Sequence, residues 1–160
     1  MRLVTLCFLL HGDQILLGMK KRGFGAGKWN GIGGGVHVAL GETIDDAARR
    51  EVGEEIRVTV RDLERVALLH FESTGRPDDT WQFECHVFVA RRWDGEPVES
   101  EEMRPQWFAV DAIPFDEMWL DDRFWLPRVL RGERLEATFI YKDGAEITRY
   151  DIRPMPEVPA

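Results

Sequence analysis

Cysteine is scarce: Cys7 and Cys85 are the only two in 160 residues, and each sits in an apolar run that reads as a strand. Two isolated thiols supply neither a disulfide framework nor a Cys/His zinc site, a pattern that fits a reducing, cytoplasmic setting. Positive charge is also short, with 21 Lys and Arg against 29 Asp and Glu, a net charge of −8 and a pI near 5.0. Holding DNA or RNA by its phosphates requires a basic surface, so nucleic-acid binding is not expected. A small polyphosphate stays admissible, because a bound cation reverses the sign locally. No run reaches the roughly twenty apolar residues of a membrane helix, so no membrane partner is expected either. The apolar start, LVTLCFLL, follows one basic residue and lacks a small-residue cleavage site, and is read as the first strand rather than an export signal. Neither G-x4-G-K-[ST] nor a strand-linked G-x-G-x-x-G occurs, which removes an ATPase loop and a dinucleotide fingerprint.

What is present is 44% hydrophobic content in a length suited to one domain, assigned to residues 1–152 as a monomer. The stretch 153–160, RPMPEVPA, carries three prolines and is expected to be a poorly ordered tail. Strands are predicted over 2–10 and 14–19, joined at His11-Gly12-Asp13, and over 58–72 and 81–92 around GRPDD. RRWDGEPVESEEMRP reads as a polar connection, followed by a short strand at 106–110 and a helix over 121–131. A closing hairpin over 136–152 turns at Lys142-Asp143-Gly144. The class is α/β in the α+β sense, a mixed sheet with two helices.

The other helix runs from Gly41 to Val58, GETIDDAARREVGEEIRV. Thr43 with Asp46 makes a capping-box-like start, and Asp45 and Asp46 place negative charge in the first turn. Ile44, Ala47 and Ala48 form an inward stripe whose continuation, at about 100° per residue, is Glu51 and Glu55, with Glu54 beside them. Burying unpaired carboxylates costs several kcal/mol or forces them to take up protons. A divalent cation resolves the repulsion, and oxygen-only ligands favour Mg2+ or Mn2+. A solvated acidic face on a surface helix is the competing reading. Arg50 argues against it, since the guanidinium can be pinned by Glu42 from the preceding loop and tie the helix to the glycine-rich turn.

These residues resemble the Nudix box, G-x5-E-x7-R-E-U-x-E-E-x-G-U with U apolar. From Glu42 to Val58 the chain follows it almost throughout, with Arg50, Glu51, Glu54 and Glu55 in place. Two positions depart: Arg57 stands where the family has glycine, and seven residues separate Gly34 from Glu42 where the family has five. The resemblance implies the Nudix fold, a mixed sheet sandwiched between helices. It also implies a metal held by Glu51, Glu54, Glu55 and the carbonyl of a loop glycine, here Gly33. Glu54, Glu55 and Arg50 are then the catalytic set, with one of the two glutamates as base.

Three further segments, GMKKRGFGAGKWNG, PVESEEMRPQWF and IPFDEMWLDD, are similar to the MutT-homologue subgroup that hydrolyses oxidised purine nucleoside triphosphates such as 8-oxo-dGTP. That similarity implies a base pocket of Thr5, Lys20, Phe24, Asn30, Phe71, Phe83, Glu102, Met103, Trp119, Asp121 and Asp122. Phe83 stands where the subgroup tends to a smaller, flexible side chain. Each assignment suits its side chain: Asn30 both donates and accepts, while Trp119 and Phe71 offer stacking worth roughly 1–3 kcal/mol per base. Asp121 and Asp122 cannot both ionise cheaply beside an aromatic wall, so one can hold a proton and the pair can read more than one oxidised purine. Plainer readings are a helix cap for Asp121 and Asp122, core packing for Trp119 and Met103, strand propensity for Thr5, and a solvated basic cluster for Lys20. Hydrolysis of another modified nucleotide and nucleotide binding without hydrolysis are the alternative functions.

Overall fold

The computed structural model describes residues 1–156. In chain order the elements are β1 (Arg2–His11), β2 (Gln14–Lys20), β3 (Trp29–Asn30), α1 (Ile44–Ile56), β4 (Thr59–Val60), β5 (Glu64–Thr74), β6 (Trp81–Ala90), β7 (Trp93–Asp94), β8 (Met103–Ala109), α2 (Asp122–Leu130), β9 (Leu135–Lys142) and β10 (Glu146–Pro154). The main sheet runs β10-β9-β5-β6-β1-β2-β3, with β8 also paired to β2. β1 lies parallel to β6 and β5 parallel to β9, while the hairpin pairs are antiparallel, so the sheet is mixed as expected.

Alternation along the strands gives the sheet two apolar faces. Phe8, Cys85, Val87 and Phe139 pack with Trp125, Leu126 and Val129 of α2. Cys7, Leu9 and Phe88, facing the other way, pack with Ala48, Val52 and Ile56 of α1. The sheet is thus sandwiched between the two helices. Both thiols are buried within it; burial pushes Cys7 up to about 12 and Cys85 beyond the ordinary thiol range.

Several boundaries move. The run at 58–72 is broken into β4 and β5, and the connection read as polar contains β7, which pairs with β4 as Thr59↔Asp94 and Val60↔Trp93. Arg61 fixes that small sheet by holding Asp94 at 2.7 Å. β8 begins at Met103, where the sheet partner Lys20 extends its ladder. The tail boundary shifts as well: Arg153 and Pro154 belong to β10, Arg153 donates to Glu136 at 3.1 Å, and the Met155 N–H reaches the Arg134 carbonyl. Residues 157–160 of the expected tail lie outside the described residues.

α1 starts as predicted, with the Thr43 hydroxyl accepting from the Asp46 N–H at 3.1 Å. The inward stripe does not become acidic, however. It continues through Val52 and Ile56, both 0% exposed, and the three glutamates flank it: Glu55 buried, Glu51 intermediate, Glu54 exposed. A helix face of 3.6 periodicity is wide enough to hold a core seam and an acidic seam side by side. The two residues added to the preceding loop are taken up by a 3-10 turn over Val38–Leu40, closed by Gly41 at φ 76°.

Candidate active site

Two depressions meet at one edge of the sheet. The first is a cleft bordered by Glu51, Glu54 and Glu55 of α1, by Arg57, and by Lys21, Arg22, Glu99 and Glu102 from the segments flanking β2 and β8. Arg50 organises it. Its guanidinium donates to both Glu42 oxygens at 2.6 and 3.0 Å, to the Gly35 carbonyl at 2.9 Å, to Glu51 at 3.1 Å and to Glu54 at 3.2 Å. The expected clamp between helix and glycine-rich turn is therefore present, and the enlarged loop leaves it intact. Arg50 holds the Glu42 carboxyl down at about 2, helped by the His37 N–H.

Among the described residues no three His, Cys, Asp or Glu side chains converge into a finished metal site, because Glu51 and Glu54 are turned towards Arg50. The donor set nonetheless fits a hard cation. Glu55 Oε2 is buried with no hydrogen-bond partner, and burial, with the adjacent Glu51 charge, pushes this carboxyl up to about 8. A positive ion is what such an orphan oxygen lacks. The glycine loop also comes close: a Cβ on Gly34 would stand 2.5 Å from the Glu51 carboxylate, so only glycine allows the approach. The Thr5 N–H bonds the Gly34 carbonyl and the Cys7 N–H the Ile32 carbonyl. In this extended backbone the Gly33 carbonyl, lying between them, points away from β1.

The second depression is an apolar cavity of about 180 Å³. Thr5, Lys20, Phe24, Asn30, Phe71, Phe83, Met103, Trp119, Asp121 and Asp122 all line it, so the expected base-pocket residues are brought together with one exception, and Gly33, expected at the metal, lines this cavity and not the acidic cleft. Glu102 lies in the acidic cleft instead, drawn there by an ion pair with Arg22 at 3.0 Å. Sequence reasoning missed Trp81 and Tyr141, which complete the aromatic wall. Both were legible in the period-two pattern: Trp81 shares a face of β6 with Phe83, and Tyr141 shares a face of β9 with Phe139. Phe24 stacks on Trp119 with ring centroids 5.2 Å apart, and the Lys28 ammonium sits 5.2 Å from the Trp119 centroid.

The floor of the cavity is acidic. Asp121 and Asp122 are 3% and 2% exposed. Asp121 accepts hydrogen bonds from the Tyr141 hydroxyl and, at 2.8 Å, from Trp125 Nε1–H. Asp122 Oδ2 has no partner, and neither side chain caps α2, so the capping reading fails. Burial raises both carboxyls; Asp122 rises well above the ordinary range because the Asp121 charge adds to burial, whereas two donors ease the ionisation of Asp121. Asp122 is thus the member of the pair pushed further towards the neutral acid, and Asp121, with its two donors, the one better able to carry charge. Asn30 Oδ1 accepts from the Gly31 N–H at 2.8 Å, which leaves its amide N–H groups for a ligand. Among the described residues, three of the four buried side-chain polar atoms without a partner, Thr5 Oγ1, Asp122 Oδ2 and Glu55 Oε2, thus lie in these two depressions.

The depressions adjoin. Lys20 and Met103, paired across β2 and β8, line the cavity, and the next residues outward, Lys21 and Glu102, line the cleft.

A NUDIX domain model matches residues 1–129. The chain is 46% identical over 152 residues to the oxidized purine nucleoside triphosphate hydrolase of Mus musculus, covering 95% of this chain and 94% of that protein. It is 48% identical over 151 residues to the protein of the same name from Danio rerio, with 94% of each covered. Its fold superposes on a MutT protein from Bacillus halodurans with a TM-score of 0.82 at 28% identity, over 98% of this chain and 100% of that one. A motif that survives in three dimensions despite its enlarged loop, within a domain matched over most of its length, makes this chain a Nudix hydrolase.

Proposed function

We propose that the protein hydrolyses oxidised purine nucleoside triphosphates, 8-oxo-dGTP among them, to the monophosphate and pyrophosphate, and so clears damaged nucleotides from the precursor pool. The observation that carries this reading is the buried Asp121–Asp122 pair beneath Trp119, in a cavity that opens onto the acidic cleft of α1. The names of the Mus musculus and Danio rerio relatives support it.

Nudix hydrolases use divalent cations, and Mg2+, with Mn2+ as substitute, suits the all-oxygen donors here. Glu51, Glu54, Glu55 and the Gly33 carbonyl would hold the ion, which neutralises phosphate charge and lowers the pKa of bound water. The chain's own groups do the rest. Arg50 keeps Glu51 and Glu54 in position while fastening α1 to the Gly35 turn. Glu54 takes the proton from the attacking water, because its carboxylate is open to the cleft whereas one Glu55 oxygen is fully buried. In the cavity Trp119 stacks the base, Asp121 accepts, and Asp122 and the Asn30 amide donate to its edge.

Purified protein assayed with Mg2+ on a panel of oxidised and unmodified purine triphosphates tests the reading. Release of pyrophosphate and monophosphate, faster from 8-oxo-dGTP than from dGTP, is expected. No product from any oxidised triphosphate, or equal rates for dGTP, defeats it. A nucleotide holder without hydrolysis, the reading suggested by the enlarged loop and by Arg57, would instead bind these triphosphates and release no product in Mg2+ or Mn2+; the intact Glu42–Arg50 clamp favours hydrolysis.

A further inference from the structure

Among the described residues Arg57 is one of two other than glycine with a positive φ, at 62°. It closes α1, its N–H donating to the Gly53 carbonyl at 3.1 Å, in a left-handed conformation where glycine carries no steric cost and an arginine does. The box motif has glycine at this position. A costly side chain held where a free alternative exists points to a task for that side chain.

Its surroundings define the task. Arg57 lines the cleft of Glu51, Glu54 and Glu55, yet among the described residues its guanidinium has no ion-pair or hydrogen-bond partner. The other two cations of that cleft, Lys21 and Arg22, are committed to neighbouring carboxylates. Arg57 lies at the far end of α1 and does not line the base cavity. A nucleotide seated by its base therefore extends its terminal phosphates, not its sugar, towards this residue.

We propose that Arg57 binds the terminal phosphate of the nucleotide and thereby sets a preference for triphosphates over diphosphates in this chain. The proposal rests on the hydrolase reading in taking a nucleotide polyphosphate as ligand of the cleft. A guanidinium presents a fork of N–H donors that matches phosphate oxygens, and in a cleft whose other two cations are paired with carboxylates it is the group left to balance a chain of negative charge.

The test compares Arg57→Gly, Arg57→Ala and Arg57→Lys with the unaltered protein. For the glycine and alanine variants KM for 8-oxo-dGTP should rise about tenfold and KM for 8-oxo-dGDP less than about twofold, with the lysine variant restoring most of the loss. The glycine variant should melt higher than the unaltered protein, because the backbone strain is gone; weaker binding alongside greater stability is not what a structural role produces. Calorimetric binding of inorganic tripolyphosphate in Mg2+ supplies a readout independent of turnover and should weaken about tenfold. Unchanged KM and unchanged tripolyphosphate affinity in Arg57→Gly overturn the proposal. An unaltered protein that turns over no oxidised triphosphate, but whose tripolyphosphate affinity falls in Arg57→Gly, overturns the hydrolase reading and leaves the phosphate contact standing.

Discussion

The cleft and the cavity both depend on carboxylates, and they treat them in opposite ways. In the cleft Arg50 keeps Glu42 ionised, holding its carboxyl at about 2 while linking it to Glu51 and Glu54. In the cavity, among the described residues, neither Asp121 nor Asp122 is held in an ion pair, and burial pushes both towards the neutral form. One side-chain chemistry thus yields a charged cluster in the cleft and acids pushed towards neutrality in the cavity, which the proposed hydrolysis would use for a cation and for a base. Glu55 belongs to the cleft but has the cavity's environment, raised to about 8 by burial. That conflict is resolved when a cation is bound beside it.

The contrast can be broken experimentally, most severely at the cleft. Removing divalent cations with a chelator should abolish turnover. Glu54→Gln should lower kcat by roughly a hundredfold or more, about 2.7 kcal/mol of transition-state stabilisation, with little change in KM. If Glu54→Gln and Glu55→Gln both turn over normally, the cleft is not where the chemistry occurs. At the cavity, Trp119→Ala should raise KM for 8-oxo-dGTP by roughly tenfold to a hundredfold through lost stacking, leaving kcat within a few-fold. A kcat loss as large as that of Glu54→Gln would erase the division of labour.

The next test concerns pH. Asp122 has a raised carboxyl, so above about pH 4 the unfolded chain releases a proton that the folded protein retains, and stability falls as pH rises. Asp122→Asn should therefore stabilise the protein, by an increment that grows upward from about pH 4, while weakening discrimination between oxidised and unmodified purines. Melting temperatures across a pH series check this, and an increment that shrinks with pH contradicts it. Glu42 should behave in the opposite sense. Its lowered carboxyl contributes stability that is complete above 4.5 and is lost as pH falls through about 2. The smallest effect expected is a melting temperature for Glu42→Gln that is depressed at neutral pH and converges on that of the unaltered protein in acid.

The two regions also differed in how far the sequence disclosed them. The cleft was legible from local spacing, since Glu51, Glu54 and Glu55 sit within one turn or so of a helix whose cap, Thr43, is itself a local signal. What local spacing missed was that Val52 and Ile56 continue the core seam beside the acids. The cavity draws on β1, β2, β5, β6, β8, β9 and the start of α2, residues far apart in the chain, and no periodicity brings Thr5 to Asp122. There the segments shared with the subgroup supplied what spacing could not, and Glu102, one residue before β8, lines the cleft while its neighbour Met103 lines the cavity. The β4–β7 pair escaped notice because two-residue strands leave no pattern to read.

The placement of the two thiols has a bearing on where such a protein can work. Cys7 and Cys85 are buried in the sheet, Cys85 at the wall of the cavity, and both are disfavoured as thiolates. Oxidised precursors arise when peroxides do, so an enzyme acting on them meets the same oxidants as its substrates. With no thiolate on offer, the two cysteines should pass through such an episode unoxidised, and a thiol-specific reagent should modify them far faster once the protein is denatured.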